Sequence, residues 1–343
     1  MEQRESLSLI PPPLGVTSNF ENPEYIGDVV IVSNLVLLVL STLLFFTRIY
    51  TRRMVVHSVD FGDYALAMGW FLSLGFFVSC VVCELRDLLF SMMILNFGLS
   101  SVGTRHGLGI HAWDMPVAGF SLFSKMGIIA GAFYAMSTLS IKLSILSFYL
   151  RISPCRKFRI CVYGLAVLTM AYCLAQTLEF TYSCRPMAKA WDLSITTGSC
   201  SGALEMCVTN SAANAAVDIA MLILPIAMLW NVRIVKRDKI GVVAILMTGS
   251  LVCIVSVIRL RAHVSILSDH DGTWITAKVV QWNAVEVHVG VICACLPHLK
   301  PLLRWHFPKV FESSSQGGTP MELPSLESFS QHCIKEENRV EKK

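Results

Sequence analysis

Residues 29–47 read Val-Val-Ile-Val-Ser-Asn-Leu-Val-Leu-Leu-Val-Leu-Ser-Thr-Leu-Leu-Phe-Phe-Thr, without a lysine, arginine, aspartate or glutamate. A stretch this long and this apolar meets the requirement of roughly 20 helical residues for a hydrocarbon core of about 30 Å. Tyr64–Cys83, Ile160–Leu178 and Ile240–Ile258 repeat it, each with 19 or 20 residues free of those four types. Met126–Leu150, Met206–Trp230 and Val279–Leu299 are also long enough, but hold Lys142, Asp218 and Glu286 respectively. Seven spans result. They read as helices, because a membrane strand needs only about 10 alternating residues.

The rest of the chain agrees. Of 343 residues, 54% are hydrophobic and 15% charged, and the mean hydropathy is +0.59. A soluble domain runs roughly 45–50% apolar and about 25% charged. The charges needed to build a soluble surface are missing, which excludes a soluble enzyme and a disordered or fibrous chain. The expected fold is an all-α, polytopic seven-transmembrane helix bundle over residues 27–308. Residues 1–26 read as a short acidic tail. Residues 309–343, rich in Ser, Glu and Lys, have too little apolar content to offset the entropy of ordering.

Orientation follows from the basic residues, which favour the cytoplasmic face. The loops after spans 1, 3, 5 and 7 hold Arg52 and Arg53; Arg151, Arg156, Lys157 and Arg159; Arg233, Lys236, Arg237 and Lys239; and Lys300, Arg304 and Lys309. The opposite side offers Arg4, Arg86, Arg105, Arg185, Lys189 and Lys278 over longer segments. The N-terminus is expected outside and the C-terminus inside. The first 28 residues lack the basic start and apolar core of a signal peptide, so the first span is expected to direct insertion.

Most of the twelve cysteines lie within spans, where a thiol behaves as a small apolar side chain. Cys184 and Cys200 flank a loop that the charge rule puts outside. A disulfide there would stabilise the fold by roughly 3 kcal/mol on the chain-entropy model; free or separately paired thiols are the alternative. Without matched Cys and His ligand pairs, zinc is not expected.

Six stretches resemble the fungal rhodopsin-like seven-helix integral membrane proteins, which include the satratoxin-cluster membrane protein and the seven-helix part of CFEM-type fungal receptors. They are Thr47-Arg-Ile-Tyr-Thr-Arg52 with Phe61-Gly-Asp-Tyr64; Gly107-Leu-Gly109-Ile-His111-Ala-Trp113-Asp114; Lys142 through Arg151-Ile; Cys184-Arg-Pro followed by Trp191-Asp and Cys200; Asn214 and Asp218 leading to Leu224-Pro225; and Trp282 with Glu286, then Gly290 to Pro297. The resemblance covers roughly residues 27–308. Two features depart from it. Glu84–Asp87 and the apolar Leu88–Leu99 lengthen the connector after span 2, reading as a helix extension, an interfacial segment or a gene-model insertion. The tail before Val29 holds no cysteine, so a member without the CFEM domain is expected.

Ionisable groups in mid-membrane cost about 2.5–3.5 kcal/mol on insertion scales and therefore tend to pair inside the bundle. Lys142, Asp218, Arg259 and Glu286 are two of each sign, and Asn210, Asn214 and Asp218 share one helix face at i, i+4, i+8. A neutral network of Lys142, Asn214, Asp218, Arg259 and Glu286 would link spans 3, 5, 6 and 7, either for function or as a clamp. Lys142 and Arg259 also lie near the cytoplasmic ends, where long side chains can snorkel. The outside loop motif of Gly107, Gly109, His111 and Trp113 reads as a ligand mouth or as a lid on the helix ends. His106 and His111 are residues of the type that titrates near neutrality, but two histidines do not make a sensor.

Enzyme motifs are missing: there is no Gly-x-Ser-x-Gly, His-Glu-x-x-His, phosphate loop or dinucleotide fingerprint. A retinal Schiff base needs a lysine midway along span 7, and Val279–Leu299 has none. No catalytic activity, cofactor or nucleic-acid partner is expected. The expected partners are the lipid bilayer, a small-molecule ligand and a heterotrimeric G protein. Three functions follow: a receptor-like sensor of an extracellular ligand; a transporter or accessory of a fungal secondary-metabolite pathway; and a structural membrane protein. An epitope fused ahead of Met1 should be labelled on intact cells, and one fused after Lys343 only after permeabilisation; the reverse pattern would refute the orientation.

Overall fold

The computed structural model describes residues 10–13, 15, 17–19, 23–95, 108–115, 117–152, 155–200, 203–229, 236–268 and 271–306, by backbone alone at 83–95, 118, 152, 180, 203–204, 228–229, 236–246, 248, 266–268, 300–301 and 303–304. The first helix, α1 (Gly27–Tyr50), buries Gly27, Val30, Asn34, Leu38, Ser41, Phe45 and Arg48. These recur every three or four residues, so they form one stripe. The opposite face exposes Val29, Val36 and Leu43 at 69%, 61% and 62%. A soluble helix hides its apolar face; this one turns valine and leucine outward and asparagine, serine and arginine inward. That inversion suits a helix whose solvent is hydrocarbon.

A π-helical turn, Thr51–Val55, continues α1. Then come α2 (Phe61–Leu95), α3 (Val117–Ile152), α4 (Arg156–Tyr182), the strands β1 (Cys184–Arg185) and β2 (Ser199–Cys200), α5 (Ala203–Leu229), α6 (Lys236–Ser268) and α7 (Gly272–Cys295). Pro297 falls in a 3-10 turn, Leu296–His298, which ends α7 and leads into the short α8 (Leu299–His306). Among the described residues, six helices are long and apolar enough to cross a membrane. α6 contains the uncharged block Ile240–Ile258 and makes the seventh. Consecutive helices pack as neighbours, α7 closes the ring against α1, and α3 touches α7 across the middle. The apolar core, with Phe45, Leu66, Phe76, Ile141, Val287 and Val291, lies between α1, α2, α3 and α7.

α2 and α3 form the closest pair, and the sequence shows why. Gly62 and Gly69, seven apart on α2, meet Ser144 and Ser137, seven apart on α3. Ser144 Oγ donates to the Gly62 carbonyl at 2.6 Å and Ser137 Oγ to the Gly69 carbonyl at 2.7 Å. A Cβ on Gly69 would lie 2.9 Å from Ile141 Cγ1 and 3.3 Å from the Ser137 carbonyl. With no hydrophobic drive between helices in lipid, small residues that let backbones approach are the main source of affinity.

Most helices run past the spans read from sequence, α3 starting at Val117 rather than Met126 and α6 ending at Ser268 rather than Ile258, and two other ends are informative. α2 runs on to Leu95, so the segment after Glu84 is a helix extension as far as that residue; Asn96–Leu99 lie outside the described residues. α7 starts at Gly272, not Val279, because its first two turns mix Trp274 and Lys278 with apolar residues and serve packing at the helix end. Residues 309–343, the expected second tail, lie outside the described residues. Gly69→Val should cost about 1–3 kcal/mol, the usual range for overpacking, read as a lower melting temperature in detergent. Gly164→Val, where an added Cβ meets nothing within 4 Å, should leave it unchanged.

Candidate functional site

The mid-bundle charges meet. Lys142 Nζ on α3 lies 2.6 Å from Asp218 Oδ1 on α5 and donates to Asn214 Oδ1 at 2.8 Å. The Asn214 amide nitrogen donates to Glu286 Oε1 on α7 at 2.8 Å and to Asp218 Oδ2 at 3.1 Å. Ser256 Oγ on α6 donates to Asp218 Oδ2 at 2.5 Å, and Tyr172 Oη on α4 donates to Asn214 Oδ1 at 2.9 Å. Arg259 Nε sits 3.0 Å from Glu286 Oε2, in ion contact but off the hydrogen-bond line, and Arg259 Nη1 donates to Tyr134 Oη. The i, i+4 spacing of Asn214 and Asp218 stacks them on one face of α5; Asn210, one turn further, donates instead to Glu179 Oε2 at 2.6 Å.

Lys142, Asp218, Arg259 and Glu286 are all buried, and their formal charges cancel. Lys142 and Arg259 therefore do not snorkel, because each has a carboxylate within the bundle. Neutral Asn214 is the junction, tied to Lys142, Asp218, Glu286 and Tyr172. A cavity of about 70 Å³ runs beside the cluster, lined by Thr138, Lys142, Asp218, Glu286, Phe148 and Tyr149 among others. At roughly 10–15 Å³ per water it has room for a few, and the Thr138 hydroxyl is buried there without a hydrogen-bond partner among the described residues.

At one end of the bundle the residues after Gly107 form a lid. Gly107 itself lies outside the described residues. Leu108, Ile110, Ala112 and Met115 are buried. Gly109 adopts φ +93°, and a Cβ there would come within 2.8 Å of the Gly27 nitrogen, so only glycine lets the lid approach α1. Ile26 N donates to the Gly109 carbonyl at 3.1 Å, and Tyr25 bridges Ile110. Asn19 N donates to Asp114 Oδ1 at 2.7 Å, so the last part of the first tail is paired with the lid. The His111 ring stacks between Trp113 (4.5 Å, 8°) and Trp274 (4.1 Å, 9°) and bonds Asp271 Oδ2. Asp271 Oδ1 accepts from Ala112 N at 2.9 Å, and Thr273 Oγ1 donates to the Ile110 carbonyl at 2.7 Å. The loop motif is thus a packed lid, bolted to the first turn of α7. Nearby, β1 and β2 pair Cys184 with Cys200 in a disulfide.

The opposite end holds a second buried charge cluster that sequence reasoning missed. Asp63 Oδ1 accepts from Arg48 Nε at 3.0 Å and Nη2 at 2.7 Å, and Asp63 Oδ2 accepts from Arg52 Nε at 3.0 Å. Arg48 Nη1 also donates to the Ala294 carbonyl of α7 at 2.6 Å. Arg52, counted from sequence as a loop charge, is buried. His288 faces α1, between Ser41 Oγ at 3.0 Å and Asn34 Oδ1 at 3.1 Å. The available signal was the series Asn34, Ser41, Arg48, spaced by seven in an apolar helix.

Residues 47–305 match the fungal rhodopsin domain family. The chain is 28% identical over 218 residues to a SAT4 family membrane protein of Emericella nidulans, covering 63% of this chain and 55% of that one. It is 29% identical over 184 residues to the wortmanamides biosynthesis cluster protein C of Talaromyces wortmannii (52% and 48% covered). To Receptor GIN3 of Arthrobotrys oligospora it is 22% identical over 213 residues (60% and 50% covered). The chain spans about half the length of these curated relatives. No solved structure matches it.

Removing one partner of a buried ion pair costs about 3–5 kcal/mol, whereas replacing both with apolar groups is often neutral. Lys142→Met should therefore lower the denaturation midpoint sharply. Lys142→Met with Asp218→Leu should recover most of the loss; additive losses would refute the pairing.

Proposed function

We propose that this chain, which belongs to the fungal rhodopsin domain family, is a receptor-like sensor of the plasma membrane. In this reading the lid end faces outside and the arginine end the cytoplasm. A small extracellular molecule is recognised, and the signal passes to a heterotrimeric G protein without catalysis by the chain itself.

The observation that carries the reading is the reach of α7. Its first turn is fastened to the lid through Asp271, Thr273 and Trp274. Its middle supplies Glu286 to the charge network, and its last turn gives the Ala294 carbonyl to Arg48. At 1.5 Å rise per residue, Asp271 and Ala294 stand about 35 Å apart. One rigid element thus touches both ends of the bundle and the polar centre. The centre suits a switch, because Asn214 and the four charges can exchange partners at little cost while remaining neutral as a set, and such bistable packing turns small shifts into large ones. A relative named as a receptor supports this reading.

The relatives named for biosynthesis clusters favour a second one, a transporter or accessory of a secondary-metabolite pathway. Seven helices without an evident internal repeat count against an inverted-repeat transporter. Purified protein in nanodiscs with fungal G-protein α subunits separates the two. Asp271→Ala, which unbolts the lid from α7, should raise basal nucleotide exchange severalfold. Glu286→Gln combined with Arg259→Met, which leaves no lone charge in the bundle, should abolish that rise while the protein stays folded. Solute flux in liposomes with no exchange response in any variant would overturn the sensor reading.

A further inference from the structure

The arginine end holds an open cavity of about 460 Å³, walled by Arg48, Arg52, Asp60, Phe148, Arg151 and His298 among others. We propose that it binds a phosphate monoester, presented by the headgroup of a phosphoinositide lipid. The volume falls within the range of about 300–1,000 Å³ usual for small-molecule sites.

The charges do not balance at this end. Three guanidiniums, of Arg48, Arg52 and Arg151, face two carboxylates, and the inner one is already committed: Asp63 spends both oxygens on Arg48 and Arg52. Asp60 is left to serve two cations through one oxygen, with Arg52 Nη2 at 2.5 Å from Oδ2 and Arg151 Nη1 on the same atom. Its side chain is 39% exposed, and that of Arg151 is 51% exposed. Arg52 Nη1 has only a long contact of 3.5 Å to Ser58 Oγ. A planar guanidinium fork matches phosphate oxygens two at a time, so a dianion on Arg52 and Arg151 would satisfy more donors than Asp60 does.

His298 is the independent sign of a ligand. It is 9% exposed and lines this cavity, and among the described residues its Nδ1 makes no well-aligned hydrogen bond, its nearest acceptor being the Ala294 carbonyl one turn back. That carbonyl already accepts from Arg48 Nη1 at 2.6 Å, so a poorly served buried donor gains from a better acceptor, and a phosphate oxygen in the cavity would be one. The chain beside the site points to the source of the phosphate. Met54, Phe61 and Tyr64, close in sequence to Arg52, Asp60 and Gly62, are 60%, 66% and 68% exposed, apolar and aromatic surface of the type found at headgroup depth. The proposal stands whether or not the protein signals.

The test uses the full chain in phosphatidylcholine nanodiscs carrying phosphatidylinositol 4,5-bisphosphate or, as control, phosphatidylserine, with bound lipid counted by native mass spectrometry. The bisphosphate lipid should be retained and phosphatidylserine not. Arg151→Gln, at a half-exposed position where folding is safe, should weaken retention about tenfold, the loss expected for one charge-assisted bond. His298→Phe should weaken it too. Asp60→Asn removes the competing carboxylate and should strengthen it severalfold. Displacement by inositol 1,4,5-trisphosphate, but not by equimolar inorganic phosphate, supports headgroup recognition. Displacement by inorganic phosphate alone at the same concentration supports the anion site with a soluble source and refutes the lipid. Equal retention of phosphatidylserine, or weakening by Asp60→Asn, overturns the proposal.

Discussion

Every ionisable group placed in hydrocarbon must find its opposite inside the protein, and this requirement organises the bundle. The insertion cost of a few kcal/mol per charge cannot be met by water at mid-depth. It is met by geometry: Lys142 against Asp218, Arg259 against Glu286, with Asn214 joining the two pairs. α3, α5, α6 and α7 each contribute a charge, so none can shift far without exposing one. α4 joins through Tyr172, and α1 and α2 are tied by their own pair, Arg48 with Asp63. The polar interior therefore supplies the specificity that apolar packing in a lipid cannot.

Around that polar axis, the contacts between helices are made by small residues and hydroxyls. The Gly62–Ser144 and Gly69–Ser137 steps bring α2 and α3 together, and the Trp70 indole donates to Thr42 on α1 at 3.0 Å. Apolar bulk faces outward, as Val29, Phe71 and Ile160 do. The two ends differ in kind. One is closed by a lid with stacked rings; the other is an open, charged vestibule. Phe148, Arg48 and Ser144 line both that vestibule and the inner cavity beside the network, so the two cavities share a wall.

How much of this was legible before the structure depends on where a residue sits in its span. The seven helices could be read because a block of about 20 uncharged residues matches the thickness of a hydrocarbon core and little else. Lys142, Asp218 and Glu286 stood out because each interrupts such a block. Arg48 and Asp63 fall at span edges, where an arginine reads as a topology signal and an aspartate as loop. Only the seven-residue spacing of Asn34, Ser41 and Arg48 carried the information that they face inward. The lid motif could be located but not resolved between mouth and cover, because its bolts, Asp271 and Trp274, lie about 160 residues away along the chain and no local pattern links them. The start of α7 was misplaced for a related reason: its first turns answer to the lid, not to the lipid.

The wide separation of Lys142 from Asp218 also has a bearing on how the protein is made. The lysine lies 76 positions ahead of its counterion. At about 5–20 residues per second of synthesis, Lys142 is added roughly 4–15 s before Asp218. During that interval its ammonium has no acidic residue from α5 or α7 to meet. Assembly at the translocon must therefore shelter a lone cation, and Thr138, one turn back on the same face of α3, is the polar company available while it waits.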